Sequence, residues 1–146
     1  AGFEVGGPSV SGSSQRRGVY VKVIRNKKDP MLEAFNTAHG FSSMAQRDVT
    51  TTAEQALLMM NGDWTMDRAK ILASNLIQSS HPTHADRIRE AFLLCLSRPA
   101  KPAEVDLALE VFGIESTAGQ DALLNQKRWT EFCHALLNSN EFLYLD

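Results

Sequence analysis

The chain has few residues that could cross-link it. Only 2 of its 146 residues are cysteine, and both fall on the apolar stripes of predicted helices, where a cysteine packs as a small hydrophobe. A chain of this length buries roughly 68–70% of its unfolded surface, so its core needs no disulfide or metal for stability. Spacing alone leaves open whether Cys95 and Cys133 pair.

Long apolar runs are missing as well. No apolar run approaches the roughly 20 residues that a spanning helix needs, and the chain does not open with a charged and then apolar leader. We therefore expect no direct insertion into a membrane.

Motifs of known chemistry are absent from the sequence, which has no nucleophile elbow, phosphate-binding loop or zinc-protease helix. His81 and His84 are separated by a proline and a threonine and have no acidic or cysteine cluster near them in sequence, which favours a solvated loop over a metal site. Cys133-His134 matches the end of a haem-attachment motif, but Thr130 stands where its first cysteine is required. The sequence thus predicts no catalytic residue, metal or cofactor in this chain, although enzymatic activity stays open.

Charge is distributed unevenly along the chain, although the net charge is only −2. Residues 1–28 contain six basic groups and one acidic group, whereas residues 101–146 contain three basic and eight acidic groups. One interpretation is an anion-binding surface around the arginines. The favoured one is that the basic segment lies against acidic helices of its own chain or of a missing partner half. Nucleic-acid binding is not expected, because the basic segment has a single aromatic residue, Tyr20, and the pI is near 6.1.

Apolar spacing predicts a mainly α-helical bundle or array of about five helices, near 53–61, 65–78, 84–97, 102–112 and 126–139. Thr52 and Gln55 have the spacing of a capping box, Pro102 suits a first helical position, and Gly113 suits a left-handed cap. Arg68 falls off the apolar stripe of its helix. The expected core contains Leu57, Leu76, Phe92, Leu96, Leu109, Phe132 and Leu136.

The N-terminal part is expected to be extended. Residues 1–18 are a flexible lead-in rich in glycine and serine, and residues 19–25 alternate as a short strand would. A lone strand needs a partner, which is either 48–51 or a missing half. Residues 19–146 are predicted to form a single helical domain.

The strongest group of polar candidates combines residues of the basic segment with residues at the start of the first predicted helix and at the end of the last one. These residues are candidates for binding an anion or a partner. A helix N-terminus with nearby arginines could hold a phosphate, sulfate or carboxylate. The favoured alternative is that the same groups cap helices and pair internally. The candidates are Arg16, Arg17, Tyr20, Arg25, Thr52, Gln55, Asn138, Asn140 and Glu141.

Three strings identify a family when taken in order: QRRGVY at 15–20, TTTAEQAL at 50–57 and LNSNEFLY at 137–144, with GGPSV at 6–10 ahead of them. Together they resemble the planctomycete-type C-terminal domain of unknown function found in large exported proteins, which often carry a cytochrome c domain elsewhere.

The resemblance implies that this chain is the second half of that domain and that a helical half precedes it. It also implies export to the periplasm or cell surface, partner domains in the same polypeptide, and haem only on a separate domain. Apolar surface left exposed in such a piece would favour self-association, so a homo-oligomer is also expected. The function predicted is a non-catalytic structural or interaction module. The alternative is a hydrolase or ligand-binding domain for an anionic or sugar substrate.

Overall fold

The computed structural model describes residues 7–10, 18–22, 34–35, 53–114 and 122–144. The chain divides into two compact units, Ala1–Leu58 and Met59–Asp146. The described residues confirm the mainly α-helical fold, with six α-helices and no β-sheet among them. None of these helices is both long and apolar enough to cross a membrane.

The helices follow the predicted order closely. Their bounds are α1 Ala53–Asn61, α2 Asp63–Gln78, α3 His84–Leu96, α4 Pro102–Phe112, α5 Ala122–Leu137 and α6 Asn140–Leu143. The first five match the predicted ones, although α5 begins four residues earlier than expected. The short α6 was not predicted. The Ser139 side chain caps it by accepting a hydrogen bond from the Phe142 amide at 3.3 Å.

Local chemistry explains where the middle helices begin and end. Thr83 caps α3, since its hydroxyl accepts a hydrogen bond from the Asp86 amide at 3.1 Å. Ser97 ends that helix in the left-handed region at φ 55°. Pro102 opens α4, and Gly113 ends it at φ 60°, a conformation that glycine adopts without steric cost.

The expected N-terminal strand is wrong in the part that the structure describes. Residues Gly18–Tyr20 form a 3₁₀ turn, and Val21 makes only an isolated parallel bridge with Val10. The Val10 amide donates to the Tyr20 carbonyl at 2.9 Å, and the Lys22 amide donates to the Val10 carbonyl at 2.8 Å. A single bridge gives too few hydrogen bonds for a regular strand. Residues 23–25 and the expected partner at 48–51 lie outside the described residues.

The core of the second unit lies where α2, α3, α4 and α5 meet. Ala69 and Ala73 on α2 are fully buried, and such small side chains allow a neighbouring helix to approach closely. Trp129 on α5 is also fully buried and packs edge to face on Phe132, with ring centroids 5.8 Å apart. The other buried apolar members are Leu76, Ile88, Ala91, Phe92, Val105, Ala108, Ile114, Cys133 and Leu136.

Three of the expected core residues are less buried than predicted. Leu57 is 57% exposed, because Gln55 and Met59, two residues to either side, are the buried positions of α1. Leu96 and Leu109 are half-buried against the edge of the core. Arg68 differs in the opposite direction: it is only 8% exposed, and its guanidinium carbon lies 5.9 Å from the centre of the Trp64 ring.

Candidate functional site

The structure describes five of the nine candidate residues. Arg16, Arg17, Arg25 and Thr52 lie outside the described residues, so the arginine part of the candidate anion site stays a prediction. The other five are Tyr20, Gln55, Asn138, Asn140 and Glu141.

Side-chain amides among these candidates bind backbone carbonyls. Gln55 is buried, and its Nε2 donates to the Ala34 carbonyl at 2.8 Å. Asn138 Nδ2 donates to the His134 carbonyl at 2.8 Å, and the Asn138 amide donates to the same carbonyl at 3.1 Å at the end of α5. The Asn140 side chain is exposed at the start of α6, and the Tyr20 carbonyl belongs to the Val10 bridge. These bonds help to stabilise the fold.

Glu141 belongs to a charged cluster that the sequence analysis missed. Arg98 follows α3 and binds Glu141 on α6 and Glu104 on α4, each carboxylate through two hydrogen bonds of 2.5–2.9 Å. Nη1 of Arg98 also donates to the Pro99 carbonyl at 3.2 Å. These five hydrogen bonds match the five N–H donors of a guanidinium. The cluster therefore ties the end of α3 to the starts of α4 and α6.

Glu104 has a second role as a cap. Its Oε2 accepts a hydrogen bond from the Lys101 amide at 2.7 Å, which satisfies a donor at the start of α4. The sequence indicated this cap, because Pro102 suits the first helical position and Glu104 then stands at the third. A glutamate at the third position can accept a hydrogen bond from the backbone amide of the N-cap residue, here Lys101.

The hydrogen bonds of the cluster shift the pKa of each of its members. Arg98 and then the Lys101 amide lower the pKa of Glu104 to about 2. The hydrogen bonds from Arg98 also lower the pKa of Glu141, and the two carboxylates raise the pKa of Arg98. All three groups are charged at neutral pH, and Arg98 donates hydrogen bonds to both carboxylates.

An apolar groove lies beside this cluster. It is open to solvent and has a volume of about 230 Å³, and its floor consists of the buried side chains of Phe92, Ala108, Phe132 and Leu136. Leu107 and Val111 on α4 form one wall and are 60% and 64% exposed. Ala135 on α5 is exposed on the other side. We call this feature the α4/α5 groove.

The charged cluster closes one end of the α4/α5 groove. Glu104 lines the cavity and binds Arg98, whose guanidinium carbon lies 5.4 Å from the centre of the Phe92 ring. Because both Glu104 oxygens accept hydrogen bonds from Arg98, the polar end of the groove is already occupied by protein groups.

The histidines and cysteines give no metal site in the described part of the chain, where no three His, Cys, Asp or Glu side chains cluster. His81 Nε2 lies 3.1 Å from Glu90 Oε2, an ion pair when the imidazole is protonated. Cys95 and Cys133 are both free thiols. Burial raises the pKa of Cys95 to about 11 and raises that of Cys133 as well, so both thiols are protonated and weakly nucleophilic at neutral pH.

Comparison with known proteins places the chain in a family. Residues 5–112 match the family described as PSD1, a protein of unknown function (DUF1553). No curated protein and no solved structure matches the chain. Since the family match covers well over half of its length, the chain belongs to the DUF1553 family of proteins of unknown function.

Proposed function

We propose that this chain is a non-catalytic structural or interaction module of a larger exported protein. In this proposal the chain is the C-terminal part of a planctomycete-type protein and binds other parts of the same polypeptide, or a second protein, through the α4/α5 groove. Any haem of such a protein would lie on a separate domain. Export and the C-terminal position rest on the resemblance of the three sequence strings.

The observation that carries the proposal is the chemistry of the groove. Its floor and walls are apolar, and its wall residues Leu107 and Val111 are more than half exposed. Its polar residue, Glu104, is held by Arg98. Contiguous exposed apolar surface of this kind is typical of sites of association.

The size of the cavity supports the same choice. About 230 Å³ is less than the roughly 300–1,000 Å³ typical of small-molecule sites. A cavity this small suits one or two apolar side chains of a partner. A substrate-binding cleft would also need polar groups free to orient a ligand, and the groove supplies none beyond the Arg98 and Glu104 pair.

Carbene footprinting tests the proposal by comparing the full-length protein with the 146-residue chain. We expect less labelling of Leu107 and Val111 in the full-length protein, because a partner segment covers them. Leu123, which is 77% exposed near the start of α5, is the control and should label equally in both. Equal labelling of Leu107 in the two proteins would contradict the proposed role within one polypeptide. Recovery of the full-length protein in the cytosolic fraction would contradict export.

A further inference from the structure

The charges around the α4/α5 groove indicate what kind of partner it takes. We propose that the groove binds an amphipathic helix whose apolar face is flanked by lysine or arginine. This inference rests on the proposed interaction function and deepens it.

The shape of the groove suits a helix. Leu107 and Val111 are four residues apart on α4, so they lie one turn apart on the same side of that helix. Between this wall and Ala135 on α5, the floor is formed by the rings of Phe92 and Phe132. A partner helix that presents apolar side chains three or four residues apart can place them in this cavity, as in other helix-in-groove complexes.

Both sides of the groove carry glutamate. On α4, Glu110 is exposed and lies three residues after the wall residue Leu107, so the two side chains are neighbours on the outer side of that wall. On α5, Glu131 is exposed one turn before Ala135 and therefore lies on the same face. Helix α4 contains three acidic residues, Glu104, Asp106 and Glu110, and no basic one. Glutamates on both sides of an apolar floor match a helix with cationic flanks.

Ion pairs within the chain neutralise only part of the negative charge around the groove. The Nζ of Lys127 lies 3.9 Å from Glu131, and both side chains are more than half exposed. Such solvent-exposed pairs contribute little, so a partner's lysine can compete for Glu131. At the closed end of the groove, Arg98 neutralises only one of the two carboxylates that it binds.

Two synthetic peptides of about four helical turns test the inference. They share one leucine face, and one has lysine and the other glutamate beside that face. Fluorescence anisotropy should show that the lysine peptide binds at least about tenfold more tightly than the glutamate peptide, with an affinity that falls as salt is added.

Variants of the 146-residue chain locate the site. Leu107→Ser and Val111→Ser should each weaken binding of the lysine peptide by about tenfold, because each removes part of the apolar wall. Leu123→Ser is the matched control and should bind as the parent does. The double change Glu110→Gln and Glu131→Gln should weaken the lysine peptide and reduce its salt dependence.

Three outcomes would overturn the inference. These are equal affinity for the two peptides, unchanged binding in Leu107→Ser, or a dimer that Leu107→Ser dissociates in sedimentation, which would make a second copy the occupant. If footprinting shows Leu107 covered in the full-length protein but the lysine peptide does not bind, the proposed function stands and only the basic helix is wrong. If the peptide binds while Leu107 stays uncovered, the interaction within the polypeptide is wrong.

Discussion

Arg98 and Glu141 lie 43 residues apart in sequence and meet through two hydrogen bonds, from Nε to Oε1 at 2.5 Å and from Nη2 to Oε2 at 2.8 Å. Because Arg98 also binds Glu104 through two further bonds, one guanidinium connects three helices at the end of the α4/α5 groove. Paired, planar contacts of this kind fix geometry in a way that a point charge does not.

We expect Arg98→Lys to lower the melting temperature, because a lysine ammonium cannot form paired hydrogen bonds with two carboxylates at once. Arg98→Ala should lower it further. Lys70→Ala is the control, since it removes an exposed cation whose pair with Asp67 on α2 contributes little. When Glu141 is already changed to Gln, Arg98→Lys should lower the melting temperature by less than it does in the parent, because the two residues stabilise the fold through the same hydrogen bonds. Equal melting temperatures for Arg98→Ala and the parent would show that the cluster does not stabilise the fold.

The lowered pKa of Glu104 predicts how stability depends on pH. The folded-state pKa is about 2 and the ordinary value is 4.5, so the folded state favours the ionised form. The stabilisation from this group is therefore fully present above about pH 4.5 and is lost as the pH falls towards 2. Melting curves of the parent and Glu104→Gln should differ most above pH 4.5 and converge near pH 2. A difference that stays constant over this range would contradict the assignment.

Thr83 should contribute to the stability of α3 as its N-cap. Its hydroxyl accepts a hydrogen bond from the Asp86 amide and donates to Asp86 Oδ2 at 2.6 Å. Thr83→Ala should cost about 1 kcal/mol of the free energy of unfolding, while Thr83→Ser should retain most of the cap. Ser80→Ala, at an exposed position before the helix, should change the free energy by less than about 0.5 kcal/mol. Urea denaturation measures all three, and equal costs for Thr83→Ala and Ser80→Ala would exclude the cap.

The sequence predicted the helices well because their signals are local. Thr83, Pro102 and Gly113 act within one turn of their own helix, and apolar spacing reports which face is buried. The exposure of Leu57 was missed because periodicity identifies an apolar stripe but not whether another element covers it. The charged cluster was missed for a related reason: Arg98 and its partner Glu141 lie 43 residues apart in sequence and meet only in the folded chain. The groove likewise arises from the packing of three helices.

Phe132 gives the strongest test of the core. Its ring is 2% exposed and makes edge contacts with Trp129 and with Phe112, whose centroids lie 5.8 and 5.6 Å away. Phe132→Ala should cost about 3–5 kcal/mol of the free energy of unfolding, because it removes buried apolar surface and leaves a void joined to the groove. Phe142→Ala is the matched control, since that ring is 38% exposed on α6 and should cost less. Urea denaturation with an unchanged slope would show that the loss lies in stability rather than in compactness. A cost for Phe132→Ala no larger than that for Phe142→Ala would mean that α5 does not supply the centre of this core.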